Sequence, residues 1–298
     1  MSRRGWAAFA AVSVLWGMPY LFIKVAVDDG VSPGFLSWAR VAMAAALLVG
    51  LAWRAGTLGS LRGRGRWILL FATVEIALPF PLIAAGEQHV SSSLAAILIA
   101  AVPLFVALLA IRYDPDERVG GARLAGLAVG LAGVVALVGI DVSGRSEELL
   151  GALAILLAAA GYACGGMLVK HQFAEVDTRA TMGASLAVAS LLLTPVAILG
   201  WPSETPSGDA LASIAVLALF STALAFLAFG ILIAEAGPAR AAVITYIAPV
   251  VAVALGVAVL DETLGVGAIL GMALILAGSW LATGGRSRAR QLRADQRV

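Results

Sequence analysis

The run WILLFATVEIALPFPLIAAG, residues 67–86, holds one threonine, one carboxylic acid and two prolines among otherwise apolar or small residues. At 1.5 Å per residue, a helix of about 20 residues spans about 30 Å, the thickness of a bilayer's hydrocarbon core. Transmembrane strands need only about 9–11 residues, and lipid offers backbone groups no hydrogen-bond partners, so a helix is the required form. Glu75 then sits roughly 12 Å from the near end, close to the midplane. A charge at that depth costs about 2.5–3.5 kcal/mol on insertion scales, so a partner or a task has to offset it. Pro79 has no N–H, which predicts a kink and a freed carbonyl at residue 75; Pro81 does the same for Ala77. One ionisable group and two freed carbonyls suit a proton, a cation or an amine.

The rest of the chain repeats this pattern. Of 298 residues, 61% are hydrophobic and 13% charged, and the mean hydropathy is +0.98, which excludes an ordinary soluble domain. Ten apolar runs stand at roughly 6–27, 33–54, 67–86, 92–111, 119–140, 149–169, 179–200, 209–234, 239–260 and 264–283. The predicted class is therefore all-α, a polytopic membrane protein with ten transmembrane helices. The opening MSRRGWAAFAAVSVLWG resembles a signal peptide but is long and leads only into a further run, so it is read as an uncleaved first helix. With both termini cytoplasmic, Lys24 and Arg145 fall outside and Arg40 lies within a run, leaving 20 − 3 = 17 Lys and Arg inside. The basic tail 286–298 follows from this bias without any nucleic acid, and the net charge of +2 carries no functional message.

A shift of 146 lays Trp16 over Tyr162, Lys24 over Lys170, Ala95 and Ala96 over Ala241 and Ala242, and Pro103 over Pro249. A shift shorter by one residue aligns Glu117 with Glu262, Gly126 with Gly271 and Gly133 with Gly278. Residues 1–145 and 146–285 are thus two five-helix repeats. Five is odd, so the second repeat enters the membrane inverted, as in secondary transporters.

FLSWARVAMAA (35–45), SSSLAAILIAAVPLFVALLA (91–110), ARAAVITYIAPVVAVALG and LDETLGVGAILGMALILAGSWL, in this order, resemble the EamA family of the drug/metabolite transporter superfamily. The resemblance covers nearly the whole chain. It implies a ten-helix inner-membrane carrier that exports small metabolites by alternating access, with a cavity lined mainly by helices one, three, four, six, eight and nine. It also matches Arg40 to an arginine common in the family, for which snorkelling to the headgroups is the expected role and pairing with Glu75 the alternative.

Polar groups available for a site are few, since asparagine is absent and glutamine stands only at 88, 172, 291 and 296. Ser13, Trp16, Tyr20 and Lys24 share a face of the first helix; Trp16 and Tyr162 serve substrate contact or packing, and the lysines anchor helix ends. Pro103 and Pro249 interrupt the fourth and ninth helices at matching places, a pointer to a transporter site, and Pro249 frees the carbonyl of Thr245 beside Tyr246. Ser221 is the repeat counterpart of Glu75, and Thr222 follows it. The predicted site is Glu75, Trp16, Tyr20, Tyr162, Thr222, Thr245 and Tyr246, with Glu75 coupling transport to a proton or cation and Pro79, Pro81, Pro103 and Pro249 shaping the helices. Glu117 and Glu262 are read as caps of the fifth and tenth helices, and the glycine-rich faces there as close contacts. His89 and His171 form no zinc-protease motif, no serine lies in a nucleophile elbow and no phosphate-binding loop occurs, which excludes those enzymes and direct ATP drive. Cys164 is a packing residue; no cofactor or metal is implied, and no oligomeric state. The partners are a small-molecule substrate and the lipid bilayer. Cation-coupled drug or amine efflux and a non-transporting scaffold are the alternatives to metabolite export.

Overall fold

The computed structural model describes residues 1–113, 121–142, 145–237 and 241–283, and these contain helices and no strand. Eight helices are long and apolar enough to span a membrane: α1 (Arg3–Asp28), α2 (Pro33–Arg54), α3 (Gly65–Glu87), α4 (Ser92–Ile111), α5 (Gly121–Val142), α6 (Ser146–Phe173), α7 (Thr178–Leu199) and α8 (Gly208–Ala236). Two shorter apolar helices follow, α9 (Ile244–Val259) and α10 (Val266–Ala282). The chain is a multi-pass membrane protein of about ten helices. Asp116, Glu117, Arg118, Arg240 and the tail 286–298 lie outside the described residues.

Small polar residues start the helices. Ser2, Ser32, Ser91 and Ser207 each accept the backbone N–H three residues on, so the first orphan donors of α1, α2, α4 and α8 are met. Asp177 caps α7 by accepting the backbone N–H of Arg179, two residues on, and also binds the Arg179 side chain at 2.7 Å, which holds its carboxyl below the usual carboxylate range. The acids at the other connections act across space. Asp141 at the end of α5 accepts from Gly267 and Ala268 at 3.1 and 2.6 Å, capping α10. Glu262 accepts from the backbone of Ser92 and Ser93 at 2.7 and 3.0 Å and from the Ser93 hydroxyl, so it caps α4. That corrects the sequence reading, which assigned Glu262 to the helix nearest it in the chain.

The most extensive helix contacts pair α5 with α10 and α2 with α7. Next come α3 with α6 and α1 with α8, then α1 with α9, α4 with α6 and α4 with α9. Exchanging the halves, α1 for α6 through α5 for α10, returns the same set of pairings. Two large clusters form the interior, one around Leu98, Leu104, Leu137, Ile155 and Ile275, the other around Val41, Leu48, Phe71, Ile76 and Leu186. Leu191, Ile198 and Leu199 on α7 and Val135 on α5 stay exposed, as lipid-facing residues do.

Because lipid is as apolar as leucine, helix association here depends on close packing rather than on a hydrophobic driving force. Along α5 and α10 a Cβ at Gly126 would strike Leu281 and Ala282, one at Gly133 would strike Leu274, and one at Gly278 would strike the backbone of Gly130. The glycine faces are thus consumed within the chain. Gly278→Ala should therefore destabilise the purified protein by about 1–3 kcal/mol, the usual cost of overpacking. Gly50→Ala, where a Cβ meets nothing, should leave the thermal unfolding temperature unchanged or raised; equal effects of the two would show that the α5–α10 contact is not this close.

Candidate functional site

Four helices contain a π turn: α5 and α6 at their ends, Val138–Val142 and Val169–Phe173, and α3 and α8 within the helix at corresponding places. In α3, Ala72–Ala77 is a π turn, with Leu78 N–H donating to Thr73 five residues back at 3.0 Å; in α8 the π turn is Leu219–Leu224. Such turns are rare and recur at functional sites. In the first, the cause is Pro79: its missing N–H faces the carbonyl of Val74 in this register, not that of Glu75 as α-helical spacing predicts. That carbonyl lies against Gly161 of α6, where a Cβ would overlap it. In the second, the Thr222 hydroxyl donates to the Leu217 carbonyl five residues back at 2.8 Å. The two turns start 219 − 72 = 147 residues apart, which sets Thr222, rather than Ser221, opposite Glu75.

Glu75 lies in the α3 turn with Oε2 buried and without a hydrogen-bond partner. Its carboxyl occupies the space a side chain on Gly165 would need. Gly161 and Gly165, one turn apart on α6, thus admit both the freed carbonyl and the acid, roles the sequence reading did not assign. Tyr162, between them in sequence, is within electrostatic reach of both Glu75 and Arg40.

Arg40 is 8% exposed, donates from Nε to the Thr222 hydroxyl at 2.8 Å and lies 4.2 Å from the centroid of the Phe80 ring. It faces α3 and α8, not the headgroups, so the snorkelling role is overturned, and no bond joins it to Glu75 among the described residues. The physical reason is its helix face: Ser37, Arg40, Ala44 and Leu48 recur at three- and four-residue spacing on the buried stripe of α2. That spacing was the signal available in the sequence.

Tyr20 and Tyr162 pack against one cluster that includes Ile23, Ala158 and Ile214. Trp16 is engaged by the rings of Phe226 and Phe229 on α8, 5.9 and 4.7 Å between centroids. Thr245 donates to the Ala242 carbonyl in the turn that precedes α9, and Tyr246 meets the Thr283 hydroxyl at 3.0 Å beside the end of α10. So the structure gathers Glu75, Tyr162, Tyr20 and Thr222 with Arg40, and uses Trp16, Thr245 and Tyr246 in helix contacts. Pro81 lies within the first turns of α3's last segment, and Pro103 opens the second segment of α4 after a break at Ala100 and Ala101. The Ala100 carbonyl at that break accepts from Ser279 of α10 at 3.4 Å. Pro249 stands inside α9.

Lys24 is no headgroup anchor: its ammonium donates to Asp28 at 2.7 Å and to the backbone carbonyl of Glu87 at 3.0 Å. Glu87, unassigned from the sequence, is wholly buried at the end of α3. Among the described residues no cluster of His, Cys, Asp and Glu is placed to hold a metal ion.

With that geometry in place, comparison with known proteins is specific. The EamA-like transporter family matches the chain twice, over residues 3–139 and 149–284. A relative from Streptantibioticus cattleyicolor, a probable terminal-alkyne amino-acid exporter, is 31% identical over 291 residues, covering 94% of this chain and 93% of the relative. The inner membrane transporter YedA of Escherichia coli K12, itself uncharacterized, is 30% identical over 261 residues, covering 86% and 83%. A protein of known crystal structure superposes with a TM-score of 0.67 over 95% of this chain and 98% of its own length, at 24% identity, a likeness of fold.

The Arg40–Thr222 bond joins α2 to the turn in α8, and hydrogen bonds to charged groups contribute about 1.5–3 kcal/mol. A thermal-unfolding double-mutant cycle with Arg40→Met and Thr222→Val should return a coupling of about 1–3 kcal/mol. Additive single effects would mean that the bond does not form in the membrane protein.

Proposed function

The chain belongs to the EamA-like transporter family, and on that premise we propose that it exports small zwitterionic metabolites, amino acids or related amphiphilic compounds, by alternating access. The observation that carries this reading is an acid with a buried oxygen and a buried guanidinium, Glu75 and Arg40, both within electrostatic reach of one phenol, Tyr162. An amino acid needs an anionic partner for its ammonium, a cationic partner for its carboxylate and an apolar wall for its side chain. Glu75 brings an oxygen without a hydrogen-bond partner among the described residues, Arg40 a delocalised cation held in place by Thr222 and Phe80, and Tyr20 and Tyr162 the wall. The amino-acid exporter of Streptantibioticus cattleyicolor supports the same substrate class. Glu75 also serves as the coupling residue: a carboxyl that exchanges a proton or cation for the substrate ammonium links the two fluxes.

The two matched stretches and the exchange symmetry of the helix pairings support two inverted repeats, 1–145 and 146–285, with the site at their interface. The excess of Lys and Arg supports an inner-membrane orientation with both termini cytoplasmic. Efflux of simple amines, coupled to a cation, is the second reading, favoured by the unpartnered oxygen of Glu75 alone.

Counterflow in proteoliposomes with a panel of amino acids and the matching decarboxylated amines tests these readings. Glu75→Gln, which keeps volume and removes the ionisable step, should insert normally and lose about 10–100-fold in exchange, the equivalent of one charged hydrogen bond; full pH-dependent accumulation by this variant would make Glu75 a packing residue. Arg40→Lys should impair exchange of amino acids more than of amines; equal loss of both favours the amine reading. Orientation is checked in a Cys164→Ala background, where single cysteines at Gly63 and Val176 should be shielded from an impermeant thiol reagent in intact cells, and those at Gly30, Ser146 and Ser207 should react.

A further inference from the structure

The end of the protein where α3 finishes is closed. Glu87 is 0% exposed, and among the described residues neither of its carboxyl oxygens has a hydrogen-bond partner. The neighbouring hydroxyl of Ser92, at the start of α4, is equally buried and unpartnered. Every element packed around Glu87 contributes its charges to the account. From α1 come Lys24 and Asp28, from α2 Arg40, and from the α9–α10 connection Glu262. Tyr20 of α1 is within reach as well. On the α6 side, Glu147 stands 3.8 Å from His89 and Glu148 2.6 Å from Arg145, pairs that lie toward solvent.

Most of these neighbours are already engaged, Arg40 by Thr222 and Phe80. Glu262 is taken by the start of α4. Lys24 binds Asp28, whose side chain is 57% exposed, and the backbone carbonyl of Glu87. Its ammonium therefore touches Glu87 at the main chain while the carboxyl of the same residue, within its electrostatic reach, stays unpaired. A carboxylate sealed from water with no donor on either oxygen is among the costliest groups a protein can hold, whereas the neutral acid costs far less. Ionisation and closure at this position oppose each other.

We propose that Glu87 is a proton-binding site that latches this end of the transporter, neutral while the end is closed and paired through its carboxylate with Lys24 once the end opens. On opening, the carboxyl O–H breaks and its proton passes to the entering water. The Lys24 ammonium leaves the Glu87 carbonyl for the new carboxylate, and Asp28 keeps its hydration. The closed form holds one proton more than the open form, so acid favours closure and base favours opening. The site is distinct from Glu75, and its operation needs no transported substrate.

The test uses the purified full chain in detergent without substrate, so failure of the export reading and failure of the latch are separate results. In a Cys164→Ala background, Val90→Cys places a thiol at this end, where Val90 is 5% exposed. Its labelling rate is divided by that of Ser203→Cys, an exposed control, which removes the pH dependence of the thiol itself. The normalised rate should rise about tenfold or more from acidic to alkaline pH, a shift of about 1.4 kcal/mol or more. Glu87→Gln should hold the slow, closed rate throughout, and Glu87→Asp should keep the rise. Lys24→Met, which removes the partner of the ionised form, should move the rise to higher pH, while His89→Gln should leave it in place. A wild-type profile in Glu87→Gln, an unshifted profile in Lys24→Met, or a rate set by replacing potassium with sodium instead of by pH would overturn the proposal. Should Glu87→Gln fail to elute as the wild type does, the Lys24→Met shift decides.

Discussion

A helix in lipid can leave its regular hydrogen-bond register only where the protein itself supplies the missing partner, and this constraint governs where the present chain can bend. It bends in α3, where Pro79 removes a donor and the Val74 carbonyl is received against Gly161. It bends in α4, where Ser279 reaches across from α10 to the open carbonyl of Ala100. The turn in α8 contains no proline, and there the Thr222 hydroxyl takes the carbonyl of Leu217. In α3 and α4 the irregularity meets a neighbouring helix, at Gly161 and at Ser279, whereas in α8 the partner is a hydroxyl of the same helix.

The same constraint explains how charged groups are tolerated. Thr222 can receive Arg40 because its hydroxyl proton is already committed to Leu217, leaving a lone pair for the guanidinium. The bulge in α8 therefore does structural work for its own helix and fixes a cation from the other half of the chain. Its counterpart in α3 carries an acid at the corresponding place and no partner for it. Two turns of like geometry thus hold unlike chemistry.

The helices were legible in the sequence because length and hydropathy decide them; the observed spans match the apolar runs to within a few residues. The glycine faces of α5 and α10 were legible too, since small residues at helical spacing have few other uses in lipid. What escaped were relations between helices. Arg40 was judged by its depth, when its face decided its role. Glu262 was assigned to the nearest helix in the chain, although its carboxylate reaches the start of α4. Glu87 stands at the end of an apolar run, where an acid is ordinarily cheap; nothing in the local sequence shows that it is buried within reach of Lys24 and Glu262. The freed carbonyl was misplaced by one residue because α-helical counting was applied to a π turn.

Two carboxyl groups without protein partners on one helix, 87 − 75 = 12 residues apart, stand about 18 Å from each other along its axis. That is too far for one proton or one small solute to serve both. Their surroundings also differ in kind. Glu75 rests on the backbone of α6 through a glycine, so a shift of α3 against α6 opens or closes the space around it without breaking any bond it makes. Glu87 rests beside a lysine on α1, so a shift of α3 against α1 exchanges one hydrogen-bond acceptor for another. Since α3 packs on both α6 and α1, it cannot tilt without altering both environments at once. The helix that carries the two acids is therefore the element through which events at the middle of the membrane and at its surface are mechanically joined.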